Sequence, residues 1–152
     1  MNTRHVLVPV LITAVWGCVS NDSHESIRQH ITAHARRIEA QEYASARMIA
    51  VGDLDGDGVA DTAVVYTLEG AHHSNNYEQY LAVSSSRQGG HFFDVLAGGK
   101  EIREVDGIQI AAGRVVLVLR EYAASDASCC PSRPANTGFI LEDGVLIEAG
   151  LR

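Results

Sequence analysis

Apolar positions fall into three textures along the chain. Residues 6–16 form one apolar run, Val6 to Trp16, that includes Pro9 and Thr13. Ile27, Ile31, Ala35 and Ile38 then recur at helical spacing, with Arg28, Arg36, Arg37 and Glu39 off that stripe. This periodicity predicts one amphipathic helix over residues 23–43. Asp22 is placed to cap it, with Glu25 three residues on. From Arg47 the texture changes to short β-type runs separated by Gly, Asp, Asn and Ser. The runs are 48–51, 62–68, 77–84, 92–96, 108–111, 115–122, 138–141 and 145–148. Asp143-Gly144 and Ala112-Gly113-Arg114 read as tight hairpin connections. Residues 115–119 (Val-Val-Leu-Val-Leu) lack alternation, so this strand is expected to be central and covered on both faces, with the helix as one cover. The expected fold is α+β: one N-terminal helix packed on an antiparallel meander of about seven or eight strands, in a single domain spanning 23–152.

The first apolar run is too short to span a bilayer, which takes about 20 residues. A single basic residue, Arg4, precedes it and small Gly17 follows, the pattern of an export signal over residues 1–17. The stretch Val15-Trp16-Gly17-Cys18 resembles the lipobox of bacterial lipoproteins, with Trp16 where that motif has a small residue. The resemblance implies acylation of Cys18, a tether over 18–22 and a lipid anchor in the membrane. Val19 after the cysteine implies sorting to the outer membrane, facing the periplasm. Ordinary secretion and an uncleaved anchor are the alternatives.

Charge narrows the partners. The chain has 12 Lys+Arg against 19 Asp+Glu, a formal −7, and the signal segment holds only Arg4 among its charged residues. Nucleic acid is not expected, because phosphate contacts need clustered basic side chains and none gather beyond Arg36-Arg37. A cation is the partner such a balance favours. With Cys18 assigned to the anchor, Cys129 and Cys130 remain, an adjacent pair that is either a vicinal disulfide or two thiols.

The segment richest in chemistry is Gly52-Asp53-Leu54-Asp55-Gly56-Asp57-Gly58-Val59-Ala60-Asp61. Carboxylates packed at this spacing repel unless a cation sits among them, and hard oxygen donors suit Ca²⁺. Asp53, Asp55 and Asp57 are the side-chain candidates, Val59 offers its carbonyl, and Asp61 is a direct or water-mediated ligand. The segment is not an EF-hand: position 12 is Val64, not Glu, and the flanks read as strands. Val51 to Asp61, followed by Thr62-Ala63-Val64-Val65, resembles the calcium loops of FG-GAP and VCBS-type repeats. It covers about 20 residues and occurs once, which excludes a whole propeller; the ion implied is structural. A metal-free reading, tandem Asp-Gly turns, stays open. More broadly, this loop, Asn75-Asn76-Tyr77-x-x-Tyr80-Leu81-Ala82-Val83 and Cys129-Cys130-Pro131-Ser132 resemble a group of uncharacterised bacterial envelope proteins.

Other constellations are weak. His30 and His34 stand i, i+4, a zinc-compatible spacing, but without a third ligand they read as a solvated helix face. His72, His73 and His91 have no spacing that supports a site, and Ser84-Ser85-Ser86 reads as a strand end with no nucleophile elbow. The sequence therefore points to a membrane-anchored envelope lipoprotein with a calcium-stabilised, non-catalytic domain that binds an envelope protein or the cell wall. The alternative is an enzyme or thiol/disulfide-active protein using Cys129-Cys130. The polar excursions 70–76 and 125–136 are the expected functional surfaces.

Overall fold

A computed structural model describes residues 21–150, with side chains from Ser23 onward. The signal segment, Cys18, residues 18–20 of the tether, the side chain of Asp22 and the last two residues lie outside the described residues. Helix α1 spans Asn21–Arg37, so it starts two residues before the expected position and stops six before the expected end. The stop has a local cause. Glu39 adopts a left-handed conformation (φ 55°), the Glu39 amide bonds the Arg36 carbonyl at 3.4 Å and the Ala40 amide bonds that of Ala35 at 2.9 Å. This is a Schellman closure. The freed chain becomes β1 (Gln41–Glu42), which pairs with the end of the third strand.

Eight further strands follow: β2 Met48–Gly52, β3 Asp61–Glu69, β4 Tyr77–Ser84, β5 Phe92–Gly99, β6 Glu104–Ala111, β7 Arg114–Glu121, β8 Arg133–Glu142 and β9 Val145–Ala149. All pairings are antiparallel. They form two sheets, not one meander. In the first, β1 and β2 share one edge of β3, and β4 and β5 follow; the second runs β6-β7-β8-β9. The hairpin turns carry positive φ at both central residues, Ala112-Gly113 (50°, 72°) and Asp143-Gly144 (49°, 78°), as type I′ turns require.

Apolar residues divide by strand face. Ala63, Val65, Leu81 and Val83 of the first sheet meet Val105, Val115, Leu117, Leu119 and Phe139 of the second in the inter-sheet core. The opposite face of the first sheet carries Val64, Tyr66, Leu68 and Ala82, and Ile27, Ile31 and Ala35 of α1 lie on it. The layers are helix, sheet, sheet. The strand covered on both faces is thus β3, not 115–119: in β7, Val118 points outward and is 46% exposed. The helix never reaches β7, because the first sheet stands between.

Strand direction gives the sandwich two ends. The β2–β3, β4–β5, β6–β7 and β8–β9 connections gather at one, and the β3–β4, β5–β6 and β7–β8 connections at the other.

Candidate functional site

The aspartate loop is the β2–β3 hairpin connection, closed by the Gly52–Asp61 pair. Gly56 and Gly58 sit at φ 75° and 81°, left-handed positions that glycine adopts without strain. These turns fold the carboxylates inward. Asp61 is 1% exposed and accepts from the backbone amides of Leu54 (2.8 Å) and Ser86 (3.1 Å). Asp53 accepts from Gly56 N (2.7 Å) and Gly58 N (3.0 Å). Asp55 accepts from the Ser85 hydroxyl at 2.6 Å and from Asp57 N at 3.2 Å.

Asp53, Asp55 and Asp61 each bring one carboxylate oxygen within 4.8 Å of the others, close enough to share a cation. Asp57 is not in that group. Its carboxylate accepts from Val59 N (2.8 Å) and the Ser86 hydroxyl (2.8 Å), and these bonds, the Val59 amide first, hold its pKa below the ordinary carboxylate value. Val59, the expected carbonyl donor, is 51% exposed. Among the described residues, one cationic side chain pairs with these four carboxylates: Arg87, 3.8 Å from Asp55. A converging set of anionic oxygens with little charge relief fits Ca²⁺, whose remaining positions water and backbone carbonyls commonly fill. Ser85 and Ser86, from the β4–β5 connection, complete the loop's hydrogen bonding. In sequence they were only a serine run; antiparallel pairing of β4 with β3 brings them to the aspartates.

At the other end, Cys129 and Cys130 are joined by a disulfide in the exposed β7–β8 loop. Asp126 anchors this loop, accepting from Ala123 N (2.7 Å), Ser132 N (2.9 Å) and the Ser132 hydroxyl (2.8 Å). Glu69 and Glu104 share a cleft with Cys129; nearby carboxylates disfavour a thiolate, which a nucleophilic cysteine needs. His72 and His73 lie in the β3–β4 loop here, whereas His91 precedes β5 at the aspartate-loop end, so the three do not meet.

His30 and His34 are not a solvated face. His34 is 5% exposed and its Nδ1 lies 2.6 Å from the Tyr66 hydroxyl. Tyr66 donates to Asp94 at 2.9 Å, and His30 Nε2 meets both Asp94 oxygens at 2.8 and 2.9 Å. Tyr80 stacks on Tyr66 with ring centroids 5.7 Å apart and meets His34 edge-on at 4.5 Å. Burial lowers the His34 pKa, and Asp94 opposes this. Burial works to raise that of Asp94, but the His30 bond and charge and the Tyr66 bond outweigh it, leaving the carboxyl below its ordinary value. Burial and Asp94 push the Tyr66 phenol up. Sequence held a signal: His34 is three residues from Ile31 and seven from Ile27, on the buried stripe. Its partners are set by strand register, which aligns Val64, Ala82 and Asp94 across three strands. The network pins helix to sheet.

Comparison of the chain with protein-family models, with curated proteins and with solved structures finds no match. The likeness of the aspartate loop to FG-GAP and VCBS-type loops accordingly rests on the loop's own residues.

Proposed function

We propose that this chain is a lipid-anchored envelope protein whose calcium-clamped β domain is a non-catalytic binding module for another envelope protein or the cell-wall surface. The observation that carries the reading is the convergence of Asp53, Asp55 and Asp61 on a point that a divalent cation can occupy. The ion would tie the β2–β3 connection to the β4–β5 connection, since Asp55 and Asp61 both also bond Ser85 or Ser86. Its role is stiffening one end of the sandwich. The Val15–Cys18 segment supports the anchor, and the acidic balance supports a cationic partner and not nucleic acid.

The test is thermal unfolding of the full chain in a non-ionic detergent, with EDTA and then with millimolar calcium. A ligand that binds only the folded state at 100 times its Kd adds about 2.7 kcal/mol, and Asp53→Asn with Asp55→Asn should abolish that rise. No change up to about 10 mM calcium, above the range of weak extracellular modules, would reduce the loop to a turn. For the anchor, Cys18→Ser should move the protein from the membrane to the soluble fraction.

A further inference from the structure

The loops 70–76 and 122–132 leave the same end of the sandwich, opposite the aspartate loop. Beside them, at the open edge between the sheets, lies a cleft of about 260 Å³, lined in part by Tyr43, Thr67, Glu69, Tyr77, Glu104 and Cys129. Past Glu69 and Tyr77 it continues into a larger polar hollow beside the 70–76 loop.

Two independent features mark this cleft as a site. Thr67 is 6% exposed, and its hydroxyl is the one buried side-chain polar atom with no hydrogen-bond partner among the described residues. It stands on the β3 face that carries Ala63 and Val65, turned towards the gap between the sheets. Leaving a buried hydroxyl unpaired is disfavoured, so a ligand that reaches it gains a bond that the empty fold lacks. The second feature is charge. Glu69 is exposed and makes no ion pair among the described residues. Glu104 shares Arg120 (2.9 Å) with Asp106 (2.7 Å), so two carboxylates divide one cation. Arg47, close to Tyr43 in the chain, is committed to Glu42 at 2.7 Å. Tyr43 and Tyr77 add aromatic surface, which attracts cations through the ring quadrupole.

We propose that this cleft binds a primary ammonium ion, with the Thr67 hydroxyl and Glu69 carboxylate accepting its N–H bonds between the rings of Tyr43 and Tyr77. The small volume limits the occupant to the head of a short alkylammonium, either a free amine or a lysine side chain. The inference deepens the binding-module reading by naming the chemistry of its partner. It does not depend on calcium, because the aspartate loop lies at the far end, and the melting and ligand experiments fail separately.

The test is an amide-shift NMR titration of the full chain in non-ionic detergent micelles with calcium present. The probe is n-butylammonium chloride, with n-butanol as the uncharged analogue and tetramethylammonium as a cation without N–H donors. Saturable shifts at Thr67, Glu69, Tyr77 and Cys129 are expected with n-butylammonium, at least about tenfold weaker with either control, given the strength of hydrogen bonds between charged groups. Glu69→Gln should weaken binding about tenfold by the same reasoning. Thr67→Val should weaken binding and raise the melting temperature of the ligand-free protein, a pairing that a purely structural threonine cannot produce. A blocked Gly-Lys-Gly peptide separates the sources: tighter binding than n-butylammonium assigns a lysine side chain, weaker binding a free amine. The proposal is overturned if no shift saturates, if n-butanol binds equally, or if Thr67→Val lowers the melting temperature and leaves affinity unchanged.

Discussion

Tyr66→Phe removes one oxygen atom from the middle of the helix–sheet interface and should cost far more than its size suggests. Tyr66 is 0% exposed. A phenol has one proton and the Asp94 carboxylate only accepts, so the hydroxyl donates to Asp94 (2.9 Å) and takes the Nδ1 proton of His34 (2.6 Å). Without it, buried His34 and half-buried Asp94 each lose a partner. His34 keeps only a weak contact at 3.9 Å to Asp94, while Asp94 keeps His30. An unsatisfied buried group costs about 1–3 kcal/mol; with Asp94 half-compensated, the loss comes to about 2–4 kcal/mol. For a domain of this size each kcal/mol shifts Tm by roughly 3–4 °C, so a fall of about 6–16 °C is expected. Tyr80→Phe is the matched control: its hydroxyl serves only Glu78, at 2.6 Å near the rim, and its loss should stay below about 1 kcal/mol, the net worth of an ordinary hydrogen bond. Urea unfolding followed by circular dichroism measures both, with the m-value checking that the unfolding transition stays comparable. Equal losses in the two variants, or a Tyr66→Phe loss under about 1 kcal/mol, would refute the claim that this hydroxyl satisfies both His34 and Asp94.

Other outcomes are expected at the helix–sheet network, at Gly98 and at the aspartate loop. The His34 pKa is depressed, chiefly by burial, with Asp94, Arg37, His30 and Glu78 as its charged neighbours. Its stability contribution is therefore intact above the ordinary imidazole value of about 6.5 and is lost as pH falls below it; His34→Gln should flatten the fall in Tm between about pH 7 and 5. Asp94, itself depressed, should hold its contribution until pH drops below the ordinary carboxylate range. Gly98→Ala would set a Cβ 2.7 Å from the Arg103 carbonyl and 2.9 Å from Gln79 Oε1. That displaces the Gln79 side chain, which bonds both Val105 N and Val105 O, and should cost about 1–3 kcal/mol through overpacking, read by chemical denaturation. Asp61→Ala removes the acceptor of two backbone amides, so it should destabilise by about 2–4 kcal/mol even in EDTA, whereas Asp53→Asn should act mainly on the calcium-dependent increment.

Local pattern was enough for much of this architecture. Strand positions follow from runs of β-branched residues bounded by turn formers, and β4 occupies 77–84 as that texture predicts. The Asp143-Gly144 turn is legible because φ above zero at two successive residues selects a few residue types. The convergence of alternate aspartates is legible because glycines at 56 and 58 permit the fold-back. These are contacts between near neighbours, and near neighbours are what spacing reports.

The tertiary structure decided what depends on distant segments. Whether eight strand signals make one sheet or two is settled by the Gly98-Gly99 corner, where Gln79 bridges to β6 across 26 residues. The cover given to residues 115–119 went to β3 because apolarity alone does not say which strand lies under the helix. Helical spacing put His30 and His34 beside an isoleucine stripe, but their burial needed Asp94 and Tyr66, 64 and 32 residues away. A histidine left there without partners would face water, so its place is set by acceptors that only strand register supplies. The orphaned Thr67 hydroxyl is the same lesson reversed: a threonine in a strand is unremarked until the packing of two sheets closes around it.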